Sequence, residues 1–275
     1  HLEKTMTKLS RRVFLGSAPA AAAAAGVFGT FFSSAAEAAI KWDDTYNVIV
    51  IGAGGAGLSA AVSAKEAGCK KVVVLEKMMF AGGNTIRAGG GFNAAIKADY
   101  EKAGIKDSPE LHAKQTLAAG DGRGDPVLVH QLTEKAPESV QWLKDHGVKF
   151  QDHIYQIYGG LYKRARNPIG PRGGAYIKAL LEVCKKEDIP ILYNTRVVEI
   201  IREHQLSGRV LGVKVEQKGG KTLYLRALNG VVAAAGGFAA NDRLTAIHDP
   251  RMGQLGTTNH PGATGDVLID LVDIG

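Results

Sequence analysis

Apolar residues enter this chain as short unbroken runs. Val48-Ile49-Val50-Ile51 and Val72-Val73-Val74-Leu75 are each too short for a helix, and their β-branched content suits strands buried on both faces. Between them, Leu58 to Gly68 is a small-residue stretch that predicts a helix ending at a glycine cap. Strand, helix and strand in that order form a parallel β-α-β unit. A third run, Gly230-Val231-Val232-Ala233-Ala234-Ala235-Gly236-Gly237-Phe238, predicts another buried strand ending in a glycine turn. Its expected place is in the same parallel sheet, with its C-terminal end beside the first glycine loop.

Elsewhere the pattern changes. Ile189 to Tyr193 is a short strand. Asn194 to Ile201, Val210 to Val215 and Leu223 to Leu225 alternate apolar and polar residues around a turn at Gly219-Gly220, which predicts a small antiparallel three-stranded sheet. Asp99 to Gly147 predicts mainly helix, with Leu128, Leu132, Val140 and Leu143 in partial helical spacing and Trp142 on the same buried face. Asp125-Pro126 fits an N-cap followed by proline at the first helical position. Ala175 to Lys186 is amphipathic through Ile177, Leu180, Leu181 and Cys184. Gln151 to Gly174 reads as irregular, and Thr257 to Asp266 as a turn before a helix that starts at Val267. The fold class is α/β: a parallel sheet plus the small antiparallel one.

Composition narrows the classes. With 275 residues the chain can hold one large domain or two small ones, and 45% apolar content with 35 glycines marks a globular, glycine-rich protein. The net charge of +7 is scattered, with no basic run beyond Lys163-Arg164-Ala165-Arg166, so no nucleic-acid partner is expected. Cys69 and Cys184 form no C-x-x-C or C-x-x-C-H, which argues for two packed thiols and against covalently attached c-type haem.

The N-terminal stretch reads as targeting. Met6 is the expected start, preceded by His1 to Thr5. Ser10-Arg11-Arg12-Val13-Phe14-Leu15 matches a twin-arginine signal, Ala18 to Phe32 is its apolar stretch, and Ala36-Glu37-Ala38 is a cleavage site. Residues 1–38 are therefore expected to be removed, with 39–44 a linker and 45–275 the domain. The apolar stretch is short and alanine-rich for a membrane span, so the expected address is periplasmic, without a stable anchor.

The chemistry concentrates around Gly52-Ala53-Gly54-Gly55-Ala56-Gly57, a G-x-G-x-x-G lying between a strand and a helix. Gly52 suits the tight turn, Gly54 leaves bare backbone for a pyrophosphate, and Gly57 lets the helix press on the strand. The helix N-terminus offers free N–H groups to phosphate. Glu76, at the end of the second strand, can accept bonds from ribose hydroxyls, and its charge argues against a 2′-phosphate. Gly82-Gly83-Asn84-Thr85 and Ala88-Gly89-Gly90-Gly91-Phe92-Asn93-Ala94 follow, where backbone can approach something flat or phosphorylated. Arg164, Arg166 and Arg172 lie amid Gly and Pro; they suit an anionic substrate or a pyrophosphate, and equally a solvated loop. His112, His130 and His146 have no metal-ligand spacing, so no metal site is expected.

These pieces together resemble the FAD-binding flavoprotein of the fumarate reductase and succinate dehydrogenase superfamily, and most of all its soluble periplasmic flavocytochrome c branch. The motifs that carry the resemblance are Val48 to Gly57, Leu75-Glu76-Lys77-Met78 with Gly82 to Thr85, Ala233 to Phe238, and Thr257-Thr258-Asn259-His260-Pro261-Gly262-Ala263-Thr264-Gly265-Asp266. The resemblance runs from Tyr46 to Gly275. It implies a Rossmann-like FAD-binding domain and FAD as cofactor. By position, Glu76 would hold the adenosine ribose, Asn84, Thr85, Gly89 and Gly90 would lie along the flavin, and Val197 would touch the adenine region. Ala235 and Gly236 would flank the pyrophosphate and Asp266 would bond the cofactor. Ala53 and Ala56 of the first turn and Lys77 beside Glu76 complete the set.

The implied activity is FAD-dependent reduction of the C=C bond of an unsaturated carboxylate resembling fumarate, methacrylate or urocanate, with a separate c-type cytochrome as electron donor. A flavin dehydrogenase or oxidase of a saturated substrate, of the ketosteroid dehydrogenase or aspartate oxidase type, is the alternative. A truncated FAD-binding fragment without turnover is a third reading. The family's clamping histidines and proton-donating arginine lie downstream, in a capping domain and the returning part of the FAD domain. Neither His260 nor Arg164 matches them, so no catalytic residue is assigned. The chain is expected to be the N-terminal portion of a longer enzyme, marginally stable and weak in flavin affinity by itself.

Overall fold

The strand that begins the domain runs through the middle of its main sheet. The computed structural model describes residues 40–275, of which Trp42–Gly275 form one unit. In chain order the elements are β1 (Asp44–Ile51), α1 (Gly55–Glu66), β2 (Val72–Leu75), a 3-10 turn at Thr85–Arg87, β3 (Phe92–Asn93), α2 (Lys97–Lys102), α3 (Pro109–Ala119), α4 (Pro126–Asp145), β4 (Tyr155–Gln156) and β5 (Lys163–Arg166). Then follow α5 (Gly173–Lys186), β6 (Ile191–Leu192), β7 (Thr195–His204), β8 (Ser207–Gln217), β9 (Thr222–Ala233), α6 (Asp242–His248), a 3-10 turn at Met252–Gln254, and α7 (Asp266–Asp273).

Six strands form one sheet in the order β6-β2-β1-β9-β8-β7. β6, β2, β1 and β9 are parallel neighbours, in the register Val48↔Val72 and Val48↔Gly230. β9, β8 and β7 are antiparallel. The apolar runs explain the layering, because successive side chains of a strand point to opposite faces. Val48, Val50, Val72 and Val74 face α1 and α5, meeting Leu58, Ala61, Val62, Ile177, Leu180 and Cys184. Ile49, Ile51, Val73 and Leu75 face the other way, onto Val197, Val213, Val215 and Leu225 of the antiparallel strands and Val267 of α7. A run apolar at every position is what a strand covered on both faces requires. Leu58 and Val50 are fully buried; truncating such a leucine costs about 2–5 kcal/mol.

The antiparallel meander forms as the alternation predicts, but it is continuous with the parallel sheet. β9 is one twelve-residue strand: Thr222 to Arg226 pair with β8, and Leu225 to Ala233 pair with β1 on the other edge. The expected separate strands at Leu223–Leu225 and from Gly230 onward are two parts of it. A second, detached three-stranded antiparallel sheet, β3-β5-β4, is built from Phe92–Asn93 and from Gln151 to Gly174, the segment expected to be irregular. Strands of two to four residues leave too short a pattern to read.

The same region corrects the expectations for Arg164 and Arg166. Both are buried, and neither meets solvent or the glycine-lined cleft. Arg164 donates from Nε and Nη2 to the two carboxylate oxygens of Asp107 at 3.0 and 2.8 Å, and from Nη2 to Gln115 at 2.7 Å. Arg166 pairs with Asp99 and donates to the Ala94 carbonyl at 3.1 Å. Each fastens the small sheet to the α2–α3 region. Arg172 is exposed at the start of α5.

In α4 the buried stripe is Thr133, Ala136, Val140 and Leu143, while Leu128 and Leu132 are exposed, contrary to the expected face. The stripe begins with Thr133, and the apolar side chains of the earlier turns, Val127 and Leu128, stay exposed. Asp125 caps α4 as expected, accepting the N–H of Val127 at 2.8 Å, with Pro126 opening the helix. Cys69 and Cys184 are free thiols. The residues of the twin-arginine reading lie outside the described ones. No helix among the described residues is long and apolar enough to cross a membrane.

Candidate functional site

The carboxyl ends of β1, β2 and β9 converge on one cleft. Gly52 closes the first strand with φ +102°, and a Cβ there would lie 2.5 Å from the Ala234 carbonyl oxygen. Its N–H donates to Leu75 at 2.8 Å, and the Ala234 N–H donates to Ile51 at 2.9 Å, so the three strand ends are tied together. Gly57 has less room still: a Cβ would meet the Gly52 oxygen at 1.8 Å.

Gly54 differs from both. A Cβ there would approach only Gly82 O at 3.9 Å and Thr85 Oγ1 at 4.0 Å, which is ordinary contact. Packing therefore dictates glycine at 52 and 57 and leaves open space at 54. Ala56 and Gly57, in the first turn of α1, have no acceptor a turn earlier, and their N–H groups join the positive end of the helix dipole. Bare backbone, open space and donors without a partner among the described residues together fit a diphosphate. The Gly55 N–H is taken by Thr85 Oγ1 at 3.0 Å, which fixes the Gly82–Thr85 turn against the helix start.

Glu76 emerges from β2 into this cleft and is buried. Its Oε2 accepts the Ala53 N–H at 2.9 Å and its Oε1 accepts the Met78 N–H at 2.8 Å. Each oxygen keeps lone-pair capacity for an incoming hydroxyl.

The opposite wall is the Thr257–Asp266 segment, and Asn84 holds it. Asn84 Oδ1 accepts the His260 N–H at 2.6 Å, its Nδ2 donates to Asn259 Oδ1 at 2.8 Å, and Arg87 donates to the Thr258 carbonyl at 3.1 Å. At the other end, Asp266 accepts from Lys77 Nζ at 3.0 Å and Thr264 Oγ1 at 2.8 Å, and forms an ion pair with Arg196, whose Nε lies 3.2 Å away. Burial pushes the Asp266 carboxyl up, but the Thr264 hydroxyl and the Lys77 and Arg196 charges outweigh it and hold it below the usual range.

Of the expected cofactor residues, Gly52, Gly54, Ala56, Glu76, Lys77, Asn84, Thr85, Val197, Ala235, Gly236 and Asp266 line this cleft. Ala53 and Gly57 stand just behind it, buried, the first bonded to Glu76 and the second against Gly52. Gly89 and Gly90 lie beyond its lining. Gly90 packs on the Arg172–Gly173 backbone and its carbonyl accepts the Tyr176 hydroxyl at 2.7 Å.

This arrangement agrees with the comparisons. Residues 47–269 match the family described as FAD binding domain. The acrylate reductase flavoprotein subunit of Shewanella woodyi is 32% identical over 97% of this chain and 54% of its own length. A fumarate reductase (cytochrome) of Shewanella frigidimarina is 37% identical over 82% of this chain and 39% of its own. The solved open conformation of a flavocytochrome c3 fumarate reductase superposes with a TM-score of 0.80 at 31% identity, over 88% of this chain and 42% of that one. The chain belongs to the FAD binding domain family, and FAD is its cofactor. It spans about half, or less, of the length of these relatives.

The sequence does not single out Arg196 and His260, which line the cleft, or Thr264, which donates to Asp266. Thr264 and His260 lie within Thr257–Asp266, where the resemblance points to Asp266 alone. Arg196 had a weaker signal, since only its place beside Val197 at the head of β7 puts it there.

Proposed function

We propose that the protein of which this chain is part reduces the C=C bond of a small unsaturated carboxylate, with FAD held in the β1–β2–β9 cleft. FAD, when bound, supplies a hydride to the alkene. The chain's own residues bind and orient it. Gly52, Ala53, Gly54 and Ala56 present backbone to the diphosphate, with Gly57 allowing α1 to approach. Glu76 accepts ribose hydroxyls, Val197 borders the adenine, and Ala235 and Gly236 flank the pyrophosphate. Asn84 and Thr85 hold the wall along the flavin, Gly89 and Gly90 continue it, and the Lys77–Asp266 pair closes the end.

The carrying observation is the open space at Gly54, in front of unpaired helix N–H groups and beside the buried Glu76 carboxylate. The names of the acrylate and fumarate reductase relatives support the substrate class. A separate c-type cytochrome as donor and a periplasmic address reached by the twin-arginine route complete the proposal. The test is an anaerobic assay of the full gene product with reduced viologen and fumarate, acrylate, methacrylate or urocanate. Oxidation of the dye with one of them is expected; no oxidation with any enoate, from protein that carries flavin, ends the proposal.

A further inference from the structure

The His260 side chain has a role that the cofactor assignment above leaves unfilled. Its ring lines the cleft beside Met78, Asn84 and Ala263, and the residue is 4% exposed. The Gly262 N–H points at its Nδ1 at 3.0 Å. An N–H donor there requires a lone pair on Nδ1, so the ring proton sits on Nε2. The backbone N–H of His260 is spent on Asn84 Oδ1 at 2.6 Å, and Phe80 packs edge-on against the ring with centroids 5.6 Å apart. Backbone, tautomer and ring plane are thus all fixed, yet Nε2–H has no acceptor among the described residues.

We infer that His260 is a further ligand of the bound cofactor, donating its Nε2–H to an acceptor oxygen of FAD. The inference rests on the FAD-binding reading of the cleft. The Nε2–H is not sealed from solvent, so an arriving acceptor replaces only a water, and a donor already held in one tautomer and one rotamer loses little entropy on binding. The surrounding charges agree. Burial, Arg87 and Lys77 disfavour the imidazolium, with Glu76 acting the other way, and the result lies below the usual histidine range. The ring is therefore a neutral donor with one direction to give. Its ligand is a hydrogen-bond acceptor, and neither a carboxylate partner for an imidazolium nor a metal.

The test is a titration with FAD followed by 15N NMR of the histidine side chains of the whole chain. Free protein is expected to show His260 as the neutral Nε2–H tautomer, with that proton resonance shifting on addition of FAD. His260→Leu is expected to raise the FAD Kd about tenfold, and His260→Gln, whose amide reaches the same place, to recover much of the loss. A resonance that stays put while FAD binds overturns the inference, as does a His260→Leu protein that binds FAD within twofold of the parent. If His260→Leu does not fold, the NMR titration of the unaltered chain decides. A parent chain that fails to bind FAD at all would sink the cleft reading itself, and this inference with it.

Discussion

Ala53 N–H donates to Glu76 Oε2 at 2.9 Å, so the first glycine turn is fastened to the carboxylate at the end of the neighbouring strand. The other oxygen takes the Met78 N–H. Glu76→Gln replaces one acceptor with an NH2 group that faces a donor. It should destabilise the chain by about 1–3 kcal/mol, the cost of one unpaired buried N–H, and weaken FAD binding about tenfold or more. A denaturant melt without FAD and a flavin titration separate the two effects.

Two glycines of the turn should respond differently. Gly57→Ala drives a methyl to 1.8 Å from the Gly52 oxygen and should prevent folding or displace α1. Gly54→Ala meets nothing closer than 3.9 Å, at an ordinary φ of −82°, and should keep the parent's melting temperature within about 2 °C, a change of under 1 kcal/mol. It should nonetheless lose most FAD affinity. A Gly54→Ala protein that binds FAD like the parent would remove the diphosphate from this turn.

Arg164 is held by Asp107 with both side chains buried. Asp107→Ala leaves a buried guanidinium with only the Gln115 hydrogen bond and the Tyr162 ring face, and removal of one partner of such a pair costs about 3–5 kcal/mol. The small sheet and α3 should open first, seen as a selective rise in hydrogen exchange at Lys163–Arg166 and Pro109–Ala119. Uniform exchange across the molecule would argue against this local role.

Burial, followed by the Arg164 charge, lowers the pKa of His112, while Asp107 pulls the other way. A histidine that protonates less readily in the folded state contributes stability in full above its unfolded pKa of about 6.5 and loses it as pH falls below. Folding stability should therefore decline as pH falls below about 6.5, and His112→Gln should flatten that slope. Asp266 follows the same sign lower down, its contribution lost as pH falls below the ordinary carboxylate range. Stability measured by urea melts across this pH range, in parent and variant, checks the assignment.

Legibility differed by region for physical reasons. The β-α-β unit could be read because strands covered on both faces must be apolar at every position, and because Gly57 answers to Gly52, five residues away, and Gly52 to its own positive φ. The small sheet could not, since Phe92–Asn93 and Tyr155–Gln156 are two-residue strands. Leu128 and Leu132 misled because helical spacing identifies a face but not whether a neighbour covers it. Arg164 and Arg166 looked like loop cations; their acids, Asp107 and Asp99, are far away in sequence. In the cleft, Glu76 was recognisable from its distance to the glycines. The tether from Asn84 to His260 spans 176 residues, and no local pattern announces it.

β9 belongs to both halves of the main sheet, with its last residues at the cleft and its first at the Gly219–Gly220 turn. At about 3.3 Å per residue it acts as a beam of roughly 40 Å joining the nucleotide cleft to the far hairpin. A beam of this kind transmits load. Anything that grips the hairpin tip, whether another segment of polypeptide or an engineered insertion, gains a stiff mechanical link to the glycine turn at Ala234.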